Sequence, residues 1–78
     1  ISFLSLLKKN KFPDKKIEKF YFFKIGRWDL QLINNKIIKF PHINTEAAIL
    51  KSIELMRRED FKNYNIIDLR VDGKIIVE

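Results

Sequence analysis

The sequence predicts an α+β fold, a largely antiparallel sheet with helices packed on one face, from three observations. Trp28, Leu30 and Leu32 alternate with Arg27, Asp29 and Gln31, the period-two signature of a strand with one buried face. Ile49, Leu50, Ile53 and Met56 recur at helical spacing, which predicts a buried helical stripe. Asn34-Asn35 and Asp72-Gly73 each separate two apolar runs, and such pairs tolerate the positive φ of tight hairpin turns.

Each element follows in order. Phe3, Leu4, Leu6 and Leu7 predict a short helix over residues 2–9, ended by Asn10 and by Pro13 three residues on. After a turn at Phe12-Pro13-Asp14, the run Ile17 to Ile25 is rich in aromatic and β-branched residues that suit a pleated surface. Its consecutive aromatics Phe20, Tyr21, Phe22 and Phe23 must alternate faces, so at least two are expected in the core. Gly26 breaks that strand, and the next carries Trp28 as a core anchor. The Asn34-Asn35 turn pairs it with Lys36 to Phe40, which Pro41 ends because it cannot donate to a ladder.

Asn44 or Thr45 then caps the main helix, roughly 45–58, with Glu46 in the first turn and Arg57-Arg58 in the last, as the helix dipole favours. Tyr64 to Val71 predicts a strand with Ile67, Leu69 and Val71 on the buried face and Ile66, Asp68 and Arg70 on the other. Asp72-Gly73 turns it back into a closing strand, Lys74 to Val77. With no repeat, low-complexity stretch or linker, residues 1–78 read as one domain.

A chain of 78 residues has room for one modest core, burying roughly 60–65% of its unfolded surface. Its 46% hydrophobic and 33% charged residues fit an ordinary folded domain and exclude intrinsic disorder. Cysteine is absent, so disulfides and thiolate-bound metals cannot supplement that core. The chain begins at Ile1 without methionine and stops at Glu78 inside a predicted strand, so an excerpt of a longer polypeptide is expected. No apolar run approaches the roughly 18 residues that span a bilayer, and the apolar run 1–7 followed by lysines has the wrong order for a signal peptide.

The net charge of +6 sits in the first third, where residues 1–27 carry eight Lys/Arg against Asp14 and Glu18. Residues 28–78 carry eight of each sign. Such a segment suits nucleic acid, an anionic surface or an acidic partner, or simply a solvated face. The catalytic constellations are missing. His42 is the single histidine and reads as a turn residue after Pro41, while Gly26 and Gly73 stand too far apart for a phosphate-cradling loop. Glu59-Asp60 reads as a solvated helix end, and Asp68 and Asp72 fall in separate elements. We therefore expect no enzyme, no cofactor, no metal and no small-molecule substrate.

Gly26-Arg27-Trp28-Asp29-Leu30, a hairpin ending in Phe40-Pro41, a helix, and Ile67-Asp68-Leu69-Arg70 before a turn and closing strand form an ordered set. Together they make the chain similar to the C-terminal β domain of the FtsQ/DivIB bacterial cell-division family, over about residues 1–77. Phe40 replaces the usual leucine, and Val71-Asp72-Gly73 is a turn that varies within the family. The resemblance implies a domain on the periplasmic side of a single-pass inner-membrane protein, whose transmembrane helix and POTRA domain lie outside this chain. It also implies a non-catalytic divisome scaffold that binds FtsB and FtsL to support septal cell-wall synthesis. The family's partner surface maps onto Arg70, Val71, Lys74, Ile75, Ile76 and Val77.

The residues themselves suggest how such binding works. A closing strand at a sheet edge presents unpaired backbone groups that accept a partner strand by β-augmentation. Arg70 either meets a partner carboxylate or pairs with Asp29 or Asp68 within the sheet. The alternative function is a small basic nucleic-acid-binding domain that uses the N-terminal lysines with Tyr21 and Phe23, and weakens steeply with salt.

Overall fold

The first helix begins at Ser2, whose hydroxyl oxygen accepts the Ser5 backbone N–H at 3.1 Å and so satisfies one of the amides left free at a helix start. The computed structural model describes residues 2–78. Ile1, the first residue of the N-terminal apolar run, lies outside them.

Helix α1, Phe3–Lys9, buries Phe3, Leu6 and Leu7. It ends at Asn10, and Lys11 takes a positive φ before a 3-10 turn, Asp14–Lys16, leads into the sheet. Strands β1, Ile17–Phe23, and β2, Arg27–Leu32, form an antiparallel hairpin in which Phe20 faces Leu30 and Phe22 faces Trp28. Strand β3, Ile37–Lys39, follows through residues 33–36, with Asn35 at φ 66°, the backbone state asparagine tolerates.

Helix α2, Thr45–Met56, carries the chain across to β4, Ile66–Asp68, which pairs parallel with β3. A crossover of this kind is what a parallel neighbour demands. Strand β5, Ile76–Val77, closes the sheet antiparallel to β4, giving the order β1-β2-β3-β4-β5. The fold is thus α+β with a largely antiparallel sheet. Both helices contribute to one apolar cluster with Leu30, Leu32, Ile38, Phe40, Ile67 and Leu69. Asn10 and Lys9 of the first helix also reach Glu46 of the second, at 3.0 and 3.1 Å, and these donors hold the Glu46 carboxyl below its usual pKa.

Several expectations are corrected. None of the four consecutive aromatics is buried, because β1 lies at the sheet edge beyond the helices; Phe22 stays 59% exposed. Strand β1 also ends at Phe23, which leaves Ile25 in the turn. Trp28 is half-buried rather than a full core residue. Leu50 is 52% exposed, and the stripe of α2 runs through Ile49, Ser52 and Leu55. Asn44 precedes α2 in a left-handed conformation without a side-chain capping bond, while the Thr45 hydroxyl donates to the Pro41 carbonyl at 3.2 Å.

The helix stops before Arg57 and Arg58, and a 3-10 turn over Glu59–Asn63 follows. There Asp60 accepts from Arg58 and from the Tyr64 hydroxyl. The last two strands are shorter than the apolar runs that encode them. Val71 leaves the ladder and is 49% exposed, since a seven-residue connection, Leu69 to Ile75, replaces the expected tight hairpin. Gly73 does turn the chain there, at φ 74°.

Candidate functional site

The C-terminal edge owes its exposed backbone to the alternation of the antiparallel ladder. Glu78 exchanges N–H···O bonds with Ile66, donating at 2.9 Å and accepting at 3.2 Å. Ladder alternation then directs the backbone groups of Ile76 at β4 and those of Val77 outward. The Val77 side chain, opposite Ile67, packs against the core, whereas Ile76, opposite Asp68, points to the open face and is exposed. Within this two-residue strand the outward main-chain groups are therefore those of Val77 alone, with an apolar residue on each face of the sheet.

Next to it lies a groove of about 670 Å³ between the Leu69–Ile75 connection and the start of α2. Pro41, Ile43, Ala47 and Ala48 give it an apolar wall, and its polar lining sets nitrogen groups of His42, Lys51, Arg70 and Lys74 beside the carboxylate of Asp72. Of the residues named for partner binding, Arg70, Val71, Lys74 and Ile75 line this groove, while Ile76 and Val77 form the adjoining edge. One surface thus contains all six, although only Ile76 and Val77 are in a strand.

Arg70 takes the intrasheet option among those its position allowed. Its Nε and Nη2 donate to the Asp68 carboxylate at 2.9 and 2.7 Å, and its backbone N–H adds a bond of 3.0 Å to Asp68 Oδ1. The pairing holds the Asp68 carboxyl below its usual value, the Arg70 hydrogen bonds being the largest cause. The guanidinium nevertheless stays exposed, so donors not spent on Asp68 face solvent. Asp29 is engaged separately by Arg27.

The wall of α2 that faces the groove was missed in the sequence. Ala47 and Ala48 open it because they are small, yet small residues at the start of a helix carry no pattern that marks a groove. The aromatics of the alternative reading lie elsewhere, on the open face of the sheet. Tyr21 donates its hydroxyl proton to Gln31 at 2.9 Å, and the Arg27 guanidinium covers the Phe23 ring at 4.4 Å. Both are already engaged by their own sheet. Among the described residues no group of three or more His, Cys, Asp or Glu side chains is placed to hold a metal ion, and no helix is long and apolar enough to cross a membrane. In comparisons with family models, curated proteins and solved structures, the chain matches none of them.

Proposed function

We propose that this chain is a non-catalytic scaffold domain of the FtsQ/DivIB type, which binds FtsB- and FtsL-like divisome proteins through its C-terminal edge strand during bacterial cell division. Its place is the periplasm, in a parent chain anchored in the inner membrane. The supporting observation is the continuity of the β5 edge with the groove lined by Arg70, Val71, Lys74 and Ile75. A partner strand adds to the outward groups of Val77, and its flanking residues enter the groove, where main-chain bonds give affinity and side-chain pockets give selectivity. Lys74, together with the Arg70 donors not spent on Asp68, favours carboxylates in the partner.

A titration of the domain with a purified FtsB/FtsL periplasmic segment tests this reading. Val77→Pro removes a donor aimed away from β4 and leaves the internal ladder intact. Binding by the parent domain that Val77→Pro and Arg70→Glu both abolish supports the proposal. No binding by the folded parent domain rejects it, and salt-sensitive binding to a single-stranded oligonucleotide would favour the nucleic-acid alternative instead.

A further inference from the structure

The opposite edge of the sheet is the more conspicuous one. Strand β1 pairs with β2 alone, and Phe20 and Phe22 on it are 46% and 59% exposed. Both rings stand on the core side of the sheet and continue the core outward, with Trp28 6.1 Å from Phe20 and 4.9 Å from Phe22 by ring centroids. Exposed aromatic area on an unpaired strand is a template for another strand.

The backbone fixes which residues pair. Phe40 donates to the Trp28 carbonyl, so the backbone groups of Trp28 face β3. Alternation turns those of Arg27, Asp29 and Gln31 toward β1, and their partners Phe23, Tyr21 and Lys19 turn toward β2. Phe20 and Phe22 are left with their N–H and C=O groups at the free edge. A bulge between Ile17 and Lys19 ends the regular ladder on the N-terminal side, which confines the available edge to Lys19 through Phe23.

We propose that this edge joins a second copy of the chain, antiparallel and centred on Tyr21. The sequence Glu18-Lys19-Phe20-Tyr21-Phe22-Phe23-Lys24 is complementary to itself in that register. Phe20 meets Phe22 of the second copy as a hydrogen-bonded pair with its rings on the core side, and the two-fold axis repeats the pair. Lys19 lies level with Phe23 of the second copy, where its aliphatic stem covers part of a ring that stays 39% exposed beside Arg27. Just outside this regular edge, at its two ends, Glu18 of one copy and Lys24 of the other flank the paired segment with opposite charges. Sliding the register by two residues sets Phe22 against Glu18, or Phe20 against Lys24, and loses this matching. Lys15 and Lys16 lie beyond the paired segment, which limits the repulsion between two copies of charge +6.

Sedimentation equilibrium of the 78-residue chain from micromolar to millimolar concentration tests the proposal. The mass is expected to rise from 9.4 kDa toward twice that value. Phe22→Pro, which deletes an outward N–H, holds it at the monomer value while circular dichroism stays native. Glu18→Lys weakens association by roughly three- to tenfold, and adding Lys24→Glu restores it. The register has its own readout, since the chain lacks cysteine. Tyr21→Cys places two thiols across a close non-hydrogen-bonded pair, roughly 4.5 Å between Cα atoms, within disulfide reach. It is expected to cross-link under mild oxidation, while Phe23→Cys and Lys74→Cys are not. A monomer over the whole range, a Phe22→Pro dimer, or Tyr21→Cys cross-linking no faster than Lys74→Cys overturns the proposal.

Discussion

Phe3 stacks on Trp28, with ring centroids 5.4 Å apart and planes inclined by 10°. The same phenyl group meets Phe40 edge-on at 5.2 Å, so one side chain of α1 is seated between two strands. Offset stacking and edge-on contact are the arrangements aromatic quadrupoles favour.

Phe3→Ala is expected to destabilise the fold by about 3–5 kcal/mol. Trp28 is the only tryptophan, so its emission should shift to the red at the same time as α1 loosens. A urea transition followed by fluorescence and by far-ultraviolet circular dichroism measures both effects. A change below about 1 kcal/mol would mean that α1 is not anchored by this contact.

The Asp68–Arg70 pair makes stability depend on acid. The Asp68 carboxyl is depressed below its usual 3.8 in the folded chain, so the unfolded chain binds a proton more readily. Its contribution is complete above that value and is lost as pH falls through the lower folded value. Asp68→Asn should remove this part of the acid dependence, with the urea midpoint of the parent chain falling more steeply below about pH 4 than that of the variant. Equal slopes would contradict the pairing.

Lys36 is buried, and its ammonium donates to the carbonyl oxygens of Lys62, at 3.1 Å, and Tyr64. It also lies 5.2 Å from the centroid of the Phe61 ring. These contacts tie the hairpin before β3 to the segment that delivers β4. Lys36→Met retains most of the volume but leaves both carbonyl groups without that donor, and should cost about 1–3 kcal/mol. Thermal unfolding measures it.

Leu50 and Leu55 separate the two possible stripes of α2. Leu55→Ala should cost about 2–5 kcal/mol, whereas Leu50→Ser, on the exposed face, should stay within about 0.5 kcal/mol. Chemical denaturation of both variants distinguishes them directly.

The reason this stripe was misread is physical. Ile49 and Met56 belong to either choice, and hydropathy favours Leu50 over Ser52. Ser52 is nevertheless buried because its hydroxyl donates to the Ile49 carbonyl at 2.6 Å, hiding a polar group inside its own helix. Leu30 and Leu32 on the core face of β2, the positive-φ turn at Asn35 and the order of elements were legible, being set by local chemistry, whereas Asp29, expected on the solvent face, is buried in its ion pair with Arg27. The exposure of Phe20 to Phe23 was not, since aromatic content shows that a strand forms but not whether a helix covers it. For the candidate site, the residues at the edge were readable from their position after the last turn. The groove beside them depends on how Leu69–Ile75 leaves the ladder, which no local pattern records.

The parallel pairing of β3 with β4 has a kinetic consequence. Strands β1 to β3 are joined by short hairpins and can zip from local contacts, whereas Ile37 must find Ile66 across the whole of α2. Closing that longer loop costs more chain entropy, and contacts between distant residues slow folding. Strand β5 has no neighbour until β4 has docked. The C-terminal edge therefore assembles last, and the groove beside it takes shape only after the rest of the sheet is in place.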